Sequence, residues 1–477
     1  MATSSRSTSF YLAAWRWHFY AGLFVAPFLL VLATTGLVML LSQPLDSVMN
    51  RQRLRVTPAG EALSPEEQVS RVAAAWPAAT VTMYIPPREP DRSAQVSVTP
   101  GQPADPHAGH GGDHAAAAAA APAAAPLTVY VDPYSGEVLG AQDPLKTPYG
   151  WATTVHGTLL MGTFGDILLE IAAGLGVLLI ATGLFLWWPR DGEKAVFWTE
   201  FRGRRRLGWR DLHAALGIWT AAILGFFLLS GLAWTLFWGG RLVQGFSSLP
   251  PAQMESPGAA THASLNQGEL RQVPWVLEQT PMPTSGSLSG LPGIPEGMGV
   301  SLNSVVAFAR DNGFTGYRVN FPTSSTGVWT VAAATMSKDI DDPRQDRTLH
   351  IDQYTGRVLA DYPFADYPLL GKAMAAGIAL HQGEVSVVNL VANVLFCLAV
   401  ITLSVSGVVM WWMRRPAGVR RLAPPPMPKD VRAWRRAAIA MFVISLAFPL
   451  VALTLLAVAI LDFGIISRVP ALRTALK

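Results

Sequence analysis

One cysteine, Cys397, is all that 477 residues contain, and without a second thiol an intrachain disulfide is excluded. Charge is scarce as well: Asp, Glu, Lys and Arg make up 14% of the chain, against 51% hydrophobic residues. With long uncharged runs added, that balance excludes a large soluble core and leaves an integral membrane protein. The first apolar run ends in LVMLLSQPLDS and lacks a small-x-small cleavage site, so an uncleaved signal anchor is expected. The Gly-rich stretch PMPTSGSLSGLPGIPEGMG neither follows a strand nor opens a helix, which rules out a phosphate cradle. No convincing acid, base or nucleophile set stands out. The net charge of +4 calls for no nucleic acid, because the excess cations sit where membrane topology wants them.

What is present is hydrophobic length. Five runs reach the roughly 20 apolar residues that a hydrocarbon layer of about 30 Å demands: Phe19 to Leu41, Phe164 to Trp188, Leu212 to Trp238, Val387 to Met413 and Ala437 to Leu461. Arg6 and Arg16 precede the first run. Arg190, Lys194, Arg202, Arg204, Arg205, Arg206 and Arg210 fill the second connection, and Arg414, Arg415, Arg420, Arg421, Lys429, Arg432, Arg435 and Arg436 the fourth. The positive-inside rule makes these cytoplasmic, so the N-terminus is expected inside and the two long loops outside. The Trp pairs 187/188 and 411/412, with Trp15, Trp17, Trp209 and Trp434, fit an aromatic belt at the inner interface.

The chain is duplicated. HGTLLMGTFGDILLEIAAGLGVLLIATGLFLWW from His156 returns as HQGEVSVVNLVANVLFCLAVITLSVSGVVMWW from His381, with 31 and 30 residues from histidine to the first Trp. Each copy has a Thr-Gly or Ser-Gly step near its end. WRWHFYAGLF around His18 likewise matches WRDLHAALGIW around His213, with glycine four residues on (Gly22, Gly217) and eighteen on (Gly36, Gly231). The loops repeat too. SPEEQVSRVAAAW opens with Ser64, Pro65 and Glu67, a capping-box signature; strand-like TVTMYI and AQVSV follow, then the hairpin TVYVDPYSGEVL. The second loop gives a helix from Ser301, strands YRVNF and VWTVAAAT, and TLHIDQYTGRVL, at an offset of 220 between hairpins.

The expected fold is therefore an α-helical integral membrane protein with about five tandem-duplicated transmembrane helices and two small α+β modules outside. Its divisions run 1–42 (first span), 43–150 (first module), 151–240 (second span, cytoplasmic loop, third span), 241–380 (second module), 381–415 (fourth span), 416–436 (cytoplasmic loop) and 437–477 (fifth span and tail). Residues 105–126, DPHAGHGGDHAAAAAAAPAAAP, interrupt the first module as a flexible excursion. His107, His110 and His114 there are a loose copper, zinc or iron site or merely part of a tether.

Four histidines at duplicated helix ends suggest haem, since neutral imidazole is a standard axial ligand and a b haem in a helix bundle needs two from different helices. His18 and His213 begin outward-running spans and lie at one face; His156 and His381 precede inward-running spans and lie at the other. Pairing across faces would have to bridge about 30 Å, so the expected pairs are His18 with His213 and His156 with His381. Gly22 and Gly217, one turn from the inner ligands, would leave room for a flat macrocycle, and Arg16 and Arg210 would neutralise its propionates. About 30 residues at 1.5 Å each exceed the hydrocarbon thickness, which places the outer pair at or above the surface. His262 and His350 are expected to be structural or surface residues, and Cys397 core packing.

These modules with D-x-Y-[ST]-G turns, bracketed by spans and joined by WRWH and both Trp-Trp ends in order, resemble the PepSY-associated transmembrane family over about residues 10 to 415. Understood members are similar to di-haem ferric-siderophore reductases of the bacterial inner membrane. The resemblance implies two haem b held at His18, His213, His156 and His381, and a ferric siderophore or other periplasmic ferric complex as substrate. The connections on the cytoplasmic side are too short for a flavin or nicotinamide domain, so the donor is expected to be quinol or a separate cytoplasmic reductase. Two other readings stay open: a membrane-anchored module that binds proteins or inhibits peptidases, and a copper-handling reductase or sensor drawing on His107, His110 and His114.

Overall fold

A computed structural model describes residues 2–101, 125–189, 195–199, 205–249, 257–266, 272–415, 422–426, 431–466 and 468–469. Its helices are α1 (Ala2–Met49), α2 (Arg51–Leu54), α3 (Pro65–Ala75), α4 (Pro148–Thr158), α5 (Gly162–Trp187), α6 (Arg205–Leu232), α7 (Leu302–Asp311), α8 (Leu369–Gln382), α9 (Val387–Arg414), α10 (Val431–Ser445) and α11 (Pro449–Leu461). Ten strands accompany them: β1 (Ala79–Ile85), β2 (Ala94–Pro100), β3 (Leu127–Val131), β4 (Val138–Gln142), β5 (Pro257–Thr261), β6 (Pro281–Pro283), β7 (Arg318–Asn320), β8 (Val328–Ala333), β9 (Arg347–Asp352) and β10 (Val358–Pro363). The chain divides into a helical unit (Met1–Val38, Ala152–Gly245, Val391–Lys477) and a sheet unit (Met39–Trp151, Phe246–Leu390).

Among the described residues, four helices are long and apolar enough to cross a membrane: Phe10–Ser42, Gly162–Trp187, Leu207–Leu232 and Val387–Arg414, of 33, 26, 26 and 28 residues. Glycines on α5 let its neighbours approach. A Cβ at Gly176 would lie 2.8 Å from Leu228 on α6, and one at Gly174 would lie 2.6 Å from Val451 on α11. Small residues play this part where apolar helices pack without a hydrophobic driving force between them. Beyond Leu232 the backbone leaves the helix, and carboxylates of α5 take the N–H groups this frees. Asp166 accepts from Leu236 at 2.7 Å, and Glu170, itself buried, accepts from Phe237 and Trp238 at 3.0 and 3.1 Å.

The fifth run is not the single span read from Ala437 to Leu461. It forms α10 and α11, of 15 and 13 residues, separated by a turn through Leu446–Phe448. Pro449 opens α11 and has no N–H with which to carry a helix across the join. At about 1.5 Å per residue, neither piece alone covers about 30 Å.

In the sheet unit, eight antiparallel strands run in the order β10-β9-β8-β7-β1-β2-β3-β4. The two sequence repeats thus do not stand as separate modules: their first strands pair, Met83 with Asn320 and Tyr84 with Val319, and two four-stranded halves become one sheet. Their helices meet as well, with Asn303 Nδ2 donating to the Glu66 carboxylate at 2.9 Å and the Glu66 N–H donating to Asn303 at 3.1 Å. Strand alternation sends Val96, Val98, Val129, Val131, Val331, Leu349 and Ile351 into one core with Val72 of α3 and Leu302, Val305 and Val306 of α7. The α3 capping box reads as its sequence signature does, Ser64 and Glu67 each bonding the other's backbone N–H.

The repeated D-x-Y-[ST]-G motif has a local cause. Asp132 Oδ1 and Asp352 Oδ1 each accept the N–H two residues on at 2.8 Å, an Asx turn, while Gly136 and Gly356 sit at φ +72° and +70°, where a side chain would be strained. The motif's tyrosines brace the hairpins from outside, Tyr134 donating to Pro90 O and Tyr354 to Ser325 O, both at 2.8 Å.

Candidate functional site

His18 on α1 and His213 on α6 come together in the helical unit, ring centres 6.3 Å apart and planes at 90°. What holds each ring is the Thr-Gly or Ser-Gly step of another helix. His18 Nδ1 lies 3.0 Å from Thr182 Oγ1 on α5, and His213 Nδ1 lies 3.0 Å from Ser406 Oγ on α9. The neighbouring glycines make space for the rings: a Cβ at Gly183 would stand 3.2 Å from His18 Cε1, and one at Gly407 would stand 3.5 Å from His213 Cε1.

The partners decide where each proton sits. Leu403 O lies 3.1 Å from His213 Nδ1, and a carbonyl can only accept, so Nδ1 carries the hydrogen. Thr182 gives its hydroxyl proton to Leu178 O at 2.8 Å and therefore accepts from His18 Nδ1, beside the Leu179 carbonyl. Both Nε2 atoms are left with a bare lone pair and no hydrogen-bond partner among the described residues, the state that binds metal. Two imidazoles on one metal at about 2.0–2.1 Å would have ring centres about 6 Å apart, each centre lying about 1 Å behind its nitrogen. The donor set and its spacing fit an axially ligated haem.

His156, on α4, is held in the same way. Its Nδ1 lies 2.9 Å from Thr35 Oγ1 on α1, and that hydroxyl donates to Val31 O at 2.8 Å. His18 and Thr35 are 17 residues apart on one helix, so the two histidine positions differ by about 25 Å along α1 at 1.5 Å per residue. His381 ends α8 in the sheet unit and is half-buried. Gly22 and Gly217 stand beside Leu179 and Leu403, whose side chains would lie at ordinary contact distances of 3.7 and 3.9 Å from an added Cβ. The glycines against the imidazoles are Gly183 and Gly407.

Arg16 is buried, donating to the Pro425 carbonyl and to Tyr20 Oη at 3.1 Å, while its Nε has no partner. It forms no ion pair among the described residues, so its charge remains available to an anion. Arg210 is largely exposed and pairs with the adjacent Asp211 at 3.0 Å. His107, His110 and His114 lie outside the described residues. Among the described residues, no group of three or more His, Cys, Asp or Glu is placed to hold a metal ion.

Sequence reasoning missed the hydroxyls of Thr35, Thr182 and Ser406, although the Thr-Gly and Ser-Gly steps carried the signal. It also missed that His262 and His350 form a pair. Both are fully buried in the sheet unit, with Nε2 atoms 2.8 Å apart. His262 Nδ1 donates to Thr280 O at 2.7 Å, which leaves His262 Nε2 to accept from His350, and the Thr330 hydroxyl completes the chain at His350 Nδ1 at 2.9 Å. Burial pushes His262 down to about 4 and His350 well below the usual imidazole range, the latter also because His262 faces it.

Apolar helices of membrane-crossing length that seat imidazoles on one another's hydroxyls, in one chain with an antiparallel sheet unit, define a multi-span membrane protein. The family described as PepSY-associated TM region matches residues 15–414, and the chain belongs to that family. Comparison with curated proteins gives no match.

Proposed function

We propose that this protein is a haem b oxidoreductase of the bacterial inner membrane that passes electrons outward to ferric iron, with ferric-siderophore complexes as the substrate class. The observation that carries the reading is the His18–His213 pair, two neutral imidazoles with bare Nε2 lone pairs at the spacing a shared metal requires. Bound haem supplies one-electron exchange between ferric and ferrous iron. His18 and His213 would hold an inner haem through their Nε2 atoms, and Arg16, whose Nε lacks a partner, would offset the charge of its propionates. His156 and His381 are assigned to an outer haem on the strength of the sequence repeat.

Electrons enter from quinol or a separate cytoplasmic reductase. An electron moving outward across an inside-negative membrane gains about 2.3 kcal/mol per 100 mV. The ferric complex takes one electron, and its hard oxygen donors hold the ferrous product less tightly, so reduction becomes release.

The test starts from reduced, desalted full-length protein mixed anaerobically with a ferric hydroxamate and a ferrous chelator. Reoxidation of the protein with matching ferrous chelate is expected. Reoxidation by ferricyanide but not by the ferric hydroxamate would contradict the substrate assignment.

A further inference from the structure

Behind each imidazole of the helical unit stands a hydroxyl one residue before a glycine, and the hydroxyl's own proton is already committed. Thr182 Oγ1 bonds Leu178 O at 2.8 Å, Thr35 Oγ1 bonds Val31 O at 2.8 Å, and Ser406 Oγ bonds Leu403 O at 2.8 Å. Each oxygen can then only accept from the histidine it meets. A backbone carbonyl three residues earlier reinforces the choice: Leu179 beside His18, Leu32 beside His156 and Leu403 beside His213. Hydroxyl and carbonyl recur behind all three imidazoles, on three helices, and at His18 and His213 the following glycine lies against the ring as well.

We infer that Thr182 and Ser406 are positioning residues that lock His18 and His213 as Nδ1–H tautomers and set how strongly their Nε2 atoms donate to the haem iron. The inference rests on the haem reading above and deepens it. An acceptor at Nδ1–H draws the proton outward and makes the ring a stronger donor at Nε2, which favours ferric over ferrous iron. The wrong tautomer would put a hydrogen on Nε2 and remove the ligand altogether. Thr35 does the same for His156.

Thr182→Val keeps the branched shape and removes the hydroxyl acceptor, leaving the Leu179 carbonyl alone behind His18. In full-length, detergent-purified protein, spectroelectrochemistry should show the inner haem's midpoint potential moving upward while the outer haem's stays put. Haem transfer to an apoglobin competitor should quicken about tenfold or more, in line with losses on deleting such partners. Thr182→Ser should restore both values, and Ser406→Ala should shift the potential in the same direction as Thr182→Val. Unchanged potential and retention in haem-replete Thr182→Val would overturn the inference and leave the haem reading standing. If Thr182→Val does not fold, Ser406→Ala decides in its place: an unchanged inner potential there overturns the inference equally. Absence of haem from the wild-type chain would defeat both readings.

Discussion

Lowering the pH from 7.5 to 5 should weaken the sheet unit by about 2 kcal/mol through His262, with His350 adding to the loss in the same direction. With both rings neutral, the chain from Thr330 through His350 and His262 to Thr280 satisfies all four ring nitrogens. Its one shared proton lies between Nε2 atoms 2.8 Å apart, and a second proton there would set two donors against each other in a site that excludes water. The folded state therefore refuses protons that the unfolded chain accepts near pH 6.5. Stability is fully present above pH 6.5 and falls as the pH drops toward the value of about 4 to which burial pushes His262. At pH 5 His262 costs about 2 kcal/mol by this linkage, and His350, held well below the usual imidazole range, shifts stability the same way. Hydrogen exchange of the full-length protein, corrected for intrinsic rates, should show β8, β9 and residues 257–266 losing protection across that range. Replacing both rings, His262→Gln with His350→Gln, should flatten the pH dependence. Protection in the wild-type protein that stays level from pH 7.5 to 5 would refute the reasoning.

Arg318 and Asp339 are both buried and share three hydrogen bonds, at 3.3, 3.0 and 2.8 Å. Arg318→Leu leaves the carboxylate with the Ser337 hydroxyl at 2.7 Å and the partly exposed Arg88 at 3.9 Å, so a loss near the lower end of about 3–5 kcal/mol is expected in thermal unfolding. Gly174→Ala places a Cβ 2.6 Å from Val451, where overpacking costs about 1–3 kcal/mol, and should lower the thermal unfolding temperature of the detergent-solubilised protein.

Periodicity and duplication were readable from the chain because they are properties of single segments. Strands such as Ala94–Pro100 place apolar core residues (Ala94, Val96, Val98) at every second position, the D-x-Y-[ST]-G turns need their Asp and Gly locally, and four apolar runs declare their length. What joins segments was not readable. The β1–β7 seam rests on two residue pairs whose side chains resemble those of any strand, so two modules looked independent. The broken fifth run was signalled by Pro449, but its overall hydrophobicity outweighed one proline in the reading. His350 aligned with Tyr130 across the repeat and looked incidental; alternation turns it to the face opposite Leu349 and Ile351, where His262 waits from a segment 88 residues away. At the candidate site, the histidines stood out by their repetition. Their hydroxyl partners did not, because a serine or threonine in a helix ordinarily bonds its own backbone, as Thr182 and Thr35 also do.

The central claim is that the paired imidazoles hold haem, and an absorption spectrum of the purified full-length protein, air-oxidised and then dithionite-reduced, with haem counted per chain, tests it most directly. The account predicts sharp reduced α and β bands and about two haems, one of which His18→Ala removes while the protein stays folded. A well-folded protein that carries no haem after haem-replete expression would contradict it.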